Sequence, residues 1–201
     1  MRRSVLSHRV HTPTLYDTKG DTLQDETPTL RRATVQDAAP LAAFALRSFS
    51  DTYAVHNDAA LMAAYTDKAF SVETLQQELD DPANIFILAC IGDQIAGYTK
   101  LRVGKNPDCL KANRSIEVER LYADKKWHGR GVGKILMDAN IEYAAEHDYG
   151  SLWLGVWRQN HRAVRFYEKS GFSAVGTHIF MMADDPQEDW VMEKLIESPK
   201  V

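Results

Sequence analysis

The sequence predicts an α/β fold of the α+β kind, a mixed twisted sheet of about seven strands flanked by helices on both faces. Three observations lead there. Residues 85–91 and 94–103 are apolar runs joined by Gly92-Asp93, the pattern of a β-hairpin. Residues 116–169 then alternate strand, helix, strand, helix, which adds helix-linked strands to that sheet. Residues 172–183 and 190–195 return as strands and close the order.

With 201 residues, 44% of them hydrophobic and 26% charged, the chain can bury one sizeable core, so a single domain over residues 29–201 is expected. A net charge of −4 gives no general attraction to nucleic acid or an anionic membrane, and it suits a cationic substrate. Cys90 and Cys109 are too few for a disulfide framework or a zinc site and fit a reducing cytoplasm. His8 and His11 stand three apart in a polar stretch without further ligands, so no metal is expected. No apolar run reaches the roughly 18 to 20 residues of a membrane span, and residues 1–10 lack the continuous apolar region of a signal peptide. A homodimer is compatible with a chain of this kind.

Residues 1–28 are rich in Thr, Asp, Ser and charge without an apolar period, and they read as a disordered tail. A transit peptide is the other reading, against which Asp17, Asp21, Asp25 and Glu26 argue. Residues 29–33 suit a short first strand. Thr34 then stands as the N-cap of a helix whose inner face is Leu41, Phe44, Ala45, Ser48 and Phe49. Asn57 is expected to cap a second helix through Leu61, Met62 and Tyr65, and Ser71 a third through Leu75 and Leu79 that stops before Pro82. These helices are expected to flank the acceptor site. A polar loop follows the hairpin over residues 104–113. Beyond Gly150, residues 152–157 form a strand and Asn160 opens a helix to Lys169, closed by Gly171.

The chain is organised around residues 116–140. Ile116, Val118, Leu121 and Tyr122 belong to a strand, and Val132, Ile135, Leu136, Ala139 and Tyr143 share one face of the helix after it. Between them, His128-Gly129-Arg130-Gly131-Val132-Gly133-Lys134 offers unobstructed amides at a helix N-terminus, where the dipole favours anions, so the turn is a candidate pyrophosphate cradle. It is no P-loop, because His128 stands where the first glycine is needed and Ile135 follows Lys134. Nor is it a dinucleotide fingerprint, since its third glycine comes one residue early. A glycine-rich helix start that binds nothing is the remaining alternative.

The turn resembles the acetyl-CoA loop of the GNAT N-acetyltransferase superfamily, of pattern Gln/Arg-x-x-Gly-x-Gly/Ala after a strand Glu-x-x-Arg-Leu-Tyr-Val. Glu117, Arg120, Leu121 and Tyr122 match, while Ala123 replaces Val and His128 replaces Gln or Arg. A second stretch is similar to the same family: Asn160, Ala163, Phe166, Tyr167, Lys169, Gly171 and Phe172 fit Asn-x-x-Ala-x-x-Phe-Tyr-x-Lys-x-Gly-Phe. The resemblance implies the acyl-CoA N-acyltransferase fold, in which two central parallel strands splay. Backbone groups of Leu121 and Ala123, beside Tyr122, would then hold the pantetheine arm of acetyl-CoA, the co-substrate. It further implies that Gly129, Arg130, Gly131, Val132, Gly133 and Lys134 enclose the diphosphate, that Asn160 bonds the arm and that Lys169 meets a CoA phosphate.

In such enzymes the amine attacks the thioester directly, so the protein must deliver a neutral amine, polarise the carbonyl and protonate the leaving thiolate. By the resemblance Tyr167 is the general acid. Glu117 and Glu119 share one strand face, and Glu119 is the chosen base, acting directly or through water. A backbone N–H near Ala123 would polarise the carbonyl. The segment from Thr177 to Lys194 resembles the closing strands of bacterial Pai-type spermidine/spermine N-acetyltransferases, which have Gly where Ala183 stands. Its acidic set, Asp184, Asp185, Glu188 and Asp189, suits a polyamine, a small-molecule amine substrate; a solvated acidic hairpin is the plainer reading. Alternatives are a protein N-terminal or lysine acetyltransferase and a non-catalytic acyl-CoA-binding module.

Overall fold

The computed structural model describes residues 27–104 and 106–197. Of the expected tail, only Thr27 and Pro28 fall among them; His8 and His11 lie outside the described residues. The strands are β1 Thr29–Arg32, β2 Asn84–Ile91, β3 Gln94–Arg102, β4 Ser115–Ala123, β5 Ser151–Trp157, β6 Ser173–Met182 and β7 Asp185–Leu195. The helices are α1 Ala38–Tyr53, α2 Ala59–Ala69, α3 Val72–Asp80, α4 Val132–Glu146 and α5 His161–Lys169. One sheet holds all seven strands in the order β1-β2-β3-β4-β5-β7-β6, and every neighbouring pair is antiparallel except β4 with β5.

The unbroken apolar run of β2 is explained by a core on each face of the sheet. Phe86, Leu88 and Cys90 pack with Leu41, Phe44 and Ala45 of α1 and Leu75 of α3. Ile85, Ile87 and Ala89 turn the other way, toward Val132, Leu136 and Met137 of α4. Gly97 on β3 seats that helix: a Cβ there would stand 2.7 Å from Val132 Cγ1 and 2.8 Å from the Tyr122 carbonyl. With no side chain in the way, α4 and its glycine turn settle directly on the sheet. Behind them, buried Asn140 of α4 donates to Thr99 Oγ1 at 2.9 Å, and Thr99 donates to the Arg120 carbonyl at 2.9 Å, tying helix to β3 and β4.

Parallel pairing of β4 with β5 stops almost as soon as it starts. Only Ser115 with Ser151, Ile116 with Leu152 and Glu117 with Trp153 face each other. The closed end is pinned by a buried hydrogen bond between the Ser115 and Ser151 hydroxyls at 2.7 Å. From there β4 stays with β3 as far as Ala123, while β5 stays with β7 as far as Trp157, so the sheet opens between them. A bulge adds to the divergence: Lys100 faces Arg120 and Leu101 faces Val118, which leaves Glu119 as the extra residue on β4.

Three local expectations are corrected. A 3₁₀ turn, Val35–Asp37, separates Thr34 from α1, and the Thr34 N–H donates to Asp37 at 2.8 Å. Asp58, not Asn57, caps α2, accepting from the Ala60 N–H at 2.8 Å; Asn57 instead donates to the Tyr53 carbonyl at 2.9 Å and accepts from Gln187 at 2.7 Å. The last strand begins at Asp185 rather than Trp190, in spite of Pro186. Residues 185–188 pair only with β6, since β5 joins at Asp189, so Pro186 costs no bond to β5.

Candidate active site

The opening between β4 and β5 is a cleft of about 630 Å³ bounded by the glycine turn, the start of α5 and the end of α1. Strand geometry says which backbone groups face it. The Asp124 N–H donates to the Ala96 carbonyl across the β3 edge at 2.9 Å. Because backbone groups alternate between edges along a strand, those of Leu121 and Ala123 turn to the opposite, unpaired edge. The Ala123 carbonyl meets the His128 ring Nε2 at 3.1 Å.

At the outer end of the cleft Gly129 and Gly131 have φ of +80° and +82°, and an added Cβ at either would meet nothing within 4 Å. What requires glycine is therefore the left-handed backbone, not crowding. This conformation starts α4 with the amides of Gly131, Val132, Gly133 and Lys134 lacking acceptors among the described residues. Buried Trp127 anchors the turn from beneath.

Of the residues singled out in the sequence, Glu119, Leu121, Tyr122, Ala123, Gly129, Gly131, Val132, Gly133, Lys134, Asn160 and Tyr167 all line the cleft. Asn160 caps α5 through Oδ1, accepting from the Ala163 N–H at 3.1 Å, and its side chain also bears on the Tyr53 hydroxyl. The Lys134 ammonium is engaged by Asp138 at 2.5 Å. Arg130 and Lys169 do not line the cleft. The Arg130 guanidinium lies over the Trp127 ring, 5.1 Å from its centre, and Lys169 sits at the far end of α5 from Asn160. Arg47, Lys125 and Arg162 supply cleft-lining cations instead.

A smaller cavity of about 210 Å³ lies on the α1–α2 side and shares Tyr53, Glu119, Arg120, Tyr122 and Gly155 with the cleft. Phe49, Tyr65, Phe70, Trp157 and Phe180 give it aromatic walls, and Glu117, Glu119 and Asp189 line it too. Tyr53 and His178 are residues that sequence reasoning did not single out, and Asp189 it named only as one of four acids suiting a polyamine. Tyr53 continues the ladder Leu41, Ala45, Phe49 by one more step of four, a signal that was available. The cavity partnership of His178 and Asp189 exists only through the register of β6 with β7.

The three carboxylates differ in what they face. Glu117 meets Arg102 at 2.6 Å, but burial prevails and raises its pKa. Burial also opposes ionisation of Glu119, yet Arg120, Lys100 and Arg102, at 3.6, 3.0 and 3.2 Å, hold its pKa below the usual carboxylate range. Asp189 has no hydrogen-bond partner among the described residues, and burial pushes its pKa up to about 6. Tyr167 and Tyr53 are driven above the ordinary tyrosine pKa by burial, Tyr53 to about 12. Both phenols therefore stay protonated where an alkylamine begins to lose its proton.

The acidic set divides. Glu188 pairs with Arg158 at 2.9 Å, Asp184 and Asp185 are exposed at the hairpin end, and Asp189 alone lines the cavity. Ala183, in the turn, has φ of +51°, a conformation that suits the glycine of the Pai-type sequences better than alanine.

Residues 48–172 match the acetyltransferase (GNAT) family. An uncharacterized N-acetyltransferase of Lactobacillus delbrueckii subsp. lactis is 30% identical over 161 residues, which is 80% of this chain and 93% of the relative. One from Mycobacterium tuberculosis is 34% identical over 158 residues, 78% of this chain and 96% of the relative. Among solved structures, PaiA N-acetyltransferase from Thermoplasma acidophilum in complex with coenzyme A is similar with a TM-score of 0.69 and 22% identity, covering 84% of this chain and 99% of that one.

Proposed function

The chain belongs to the acetyltransferase (GNAT) family and is an acetyl-CoA-dependent N-acetyltransferase, and from that premise we propose that it acetylates a primary amine of a small cationic molecule, spermidine and spermine being the first candidates. The observation that carries this reading is a pair of adjoining cavities that share Tyr53, Glu119, Arg120, Tyr122 and Gly155 as a common wall. On one side lie the unpaired edge of Leu121 and Ala123 and the free amides of the glycine turn; on the other lies an aromatic cavity holding Asp189. Open space over Gly129 and Gly131 and a strand edge without a neighbouring strand fit a diphosphate and an amide-bearing arm.

Acetyl-CoA, when bound, supplies an activated thioester carbonyl. This chain's residues would do the rest. The edge of Leu121 and Ala123 orients the arm, and a backbone N–H there meets the carbonyl oxygen. Tyr167 holds a proton in the cleft for the departing sulfur. Aromatic walls and Asp189 favour a cation in the acceptor cavity. Asp185 lies four residues from Asp189 on the same face of β7, about 13 Å along the strand. It accepts from cavity-lining Gln187 at 3.0 Å, so an extended polyamine would meet a second carboxylate toward the hairpin. We place the enzyme in the cytoplasm, in keeping with free Cys90 and Cys109.

A thiol-release assay with acetyl-CoA and spermidine, spermine, an aminoglycoside and N-terminal or lysine peptides tests the proposal. Turnover on the polyamines is expected. Turnover on peptides alone would overturn it in favour of a protein acetyltransferase, and none on any amine would favour a binding module.

A further inference from the structure

Within the acceptor cavity the carboxylates are unequal. Glu117 faces Arg102, and Glu119 is surrounded by Lys100, Arg102 and Arg120. Their charges are already answered. Asp189 is different: its one ion-pair contact among the described residues is His178 Nε2 at 3.8 Å, and burial keeps that imidazole's pKa below the ordinary value, so it brings no charge at neutral pH. His178 Nε2 is itself buried without a hydrogen-bond partner. Both side chains lie over Gly155, where an added Cβ would run into His178 Nε2 and stand 3.5 Å from Asp189 Oδ2. Gly155 belongs to the lining of the cofactor-side cleft and of the acceptor cavity alike. A missing side chain on β5 thus lets an uncompensated carboxylate and an unsatisfied imidazole approach the wall that the two share.

We propose that Asp189, rather than Glu119, receives the acceptor amine's ammonium and takes its proton, with His178 as the positioning residue that completes the ammonium's hydrogen bonding over Gly155. This rests on the acetyl-transfer reading above. The balance is simple. The ammonium gives one proton to Asp189, which passes it to solvent through the cavity. The neutral nitrogen forms the C–N bond to the acetyl carbonyl as the C–S bond breaks with its electron pair on sulfur. Tyr167 protonates that sulfur, and the second nitrogen proton, released as the amide forms, restores the Tyr167 phenol.

Other titratable and charged groups bear on Asp189. His178 faces it from β6 and Tyr53 from α1. Tyr65 of α2, Arg102 of β3 and Glu117, Glu119, Arg120 and Tyr122 of β4 line the same cavity. Of these groups Asp189 is pushed up to about 6 while Glu119 is held below the usual carboxylate range, and replacing Asp189 alone isolates its contribution.

The experiment compares the parent protein with Asp189→Asn and Asp189→Glu on spermidine and on phenethylamine across pH 5 to 10, with CoA affinity measured by calorimetry. Asp189→Asn should lower kcat/KM for the amine by about 100-fold or more. It should also remove the parent's acidic limb, leave CoA affinity within about twofold, and be partly rescued by Asp189→Glu. Asn activity within about threefold of the parent, with the acidic limb intact, would overturn the assignment and leave acetyl transfer standing. If the parent acetylates neither amine while binding CoA, the small-amine reading fails and the assignment falls with it.

Discussion

Glu117 and Trp153 are the last residues at which β4 and β5 face each other; one step beyond them the sheet has come apart. Everything the cleft offers follows from that point. The edge bearing Leu121 and Ala123 is left without a neighbouring strand, Gly155 lines both cavities, and so does Tyr53 of α1. A polar strand edge left inside a fold is costly unless something bonds to it, which makes the opening a demand for a ligand with amides of its own.

The glycine turn should be sensitive to backbone conformation. Gly131→Ala puts a Cβ into open space at φ of +82°, so packing is spared and only the left-handed conformation is strained. That strain, about 1 to 2 kcal/mol, should weaken CoA binding by about tenfold as the amides reorient. Calorimetry with CoA checks it, with unchanged circular dichroism as the control.

Tyr167→Phe keeps the ring and removes the proton. Turnover should fall by roughly 100-fold with CoA affinity retained, read from steady-state kinetics and calorimetry together. An unchanged kcat would show that sulfur is protonated from elsewhere.

The ion cluster behind the acceptor cavity is a stability element. Glu78 meets Lys100 at 2.9 Å and Arg120 at 2.7 Å, and those cations are 3% and 9% exposed. Glu78→Ala leaves both short of a partner, with Glu119 as the remaining carboxylate. It should cost about 3 kcal/mol in urea unfolding, because buried charges lose compensation.

Asp189 should make stability depend on pH in an unusual direction. Its pKa rises from 3.8 to about 6 on folding, so the folded protein holds this proton more tightly than the unfolded chain does. Its contribution is therefore favourable at low pH and is lost as pH climbs through that window, staying lost above it. Asp189→Asn should melt at a higher temperature than the parent at pH 7.5, and the gap should close near pH 4. Scanning fluorimetry at the two pH values measures this.

The hairpin turn offers a gain. Ala183→Gly relieves a φ of +51° and should stabilise the protein by about 1 kcal/mol, seen as a raised urea midpoint.

What the sequence determined by itself was local. The sequence pattern located the seven strands and five α-helices among the described residues, though not the two 3₁₀ turns or the start of β7, because burial on one or both faces must be written into neighbouring side chains. The glycines at 129, 131 and 133 announced an unobstructed turn at a helix start, while its left-handed backbone at 129 and 131 came only with the structure. Ser71 and Asn160 announced their helix starts through the short reach of a cap. Adjacent alternatives were harder: Asn57 and Asp58 are both good caps, and only the chain's path chose Asp58.

Tertiary structure decided the rest, for a common reason: each feature joins residues far apart in the chain. Glu119 reads as a free base on a strand until Lys100, Arg102 and Arg120 close around it, and its bulge is fixed by register with β3. Lys169, read as a phosphate ligand, stands in the last turn of α5 just beyond cleft-lining Phe166 and Tyr167. Asp189 reads as one of four surface acids until β5, β6 and β7 align and the bare backbone of Gly155 gives it and His178 a shared place in the wall. Charge and solvation at a site depend on which neighbours the fold delivers, and a one-dimensional pattern does not carry that information.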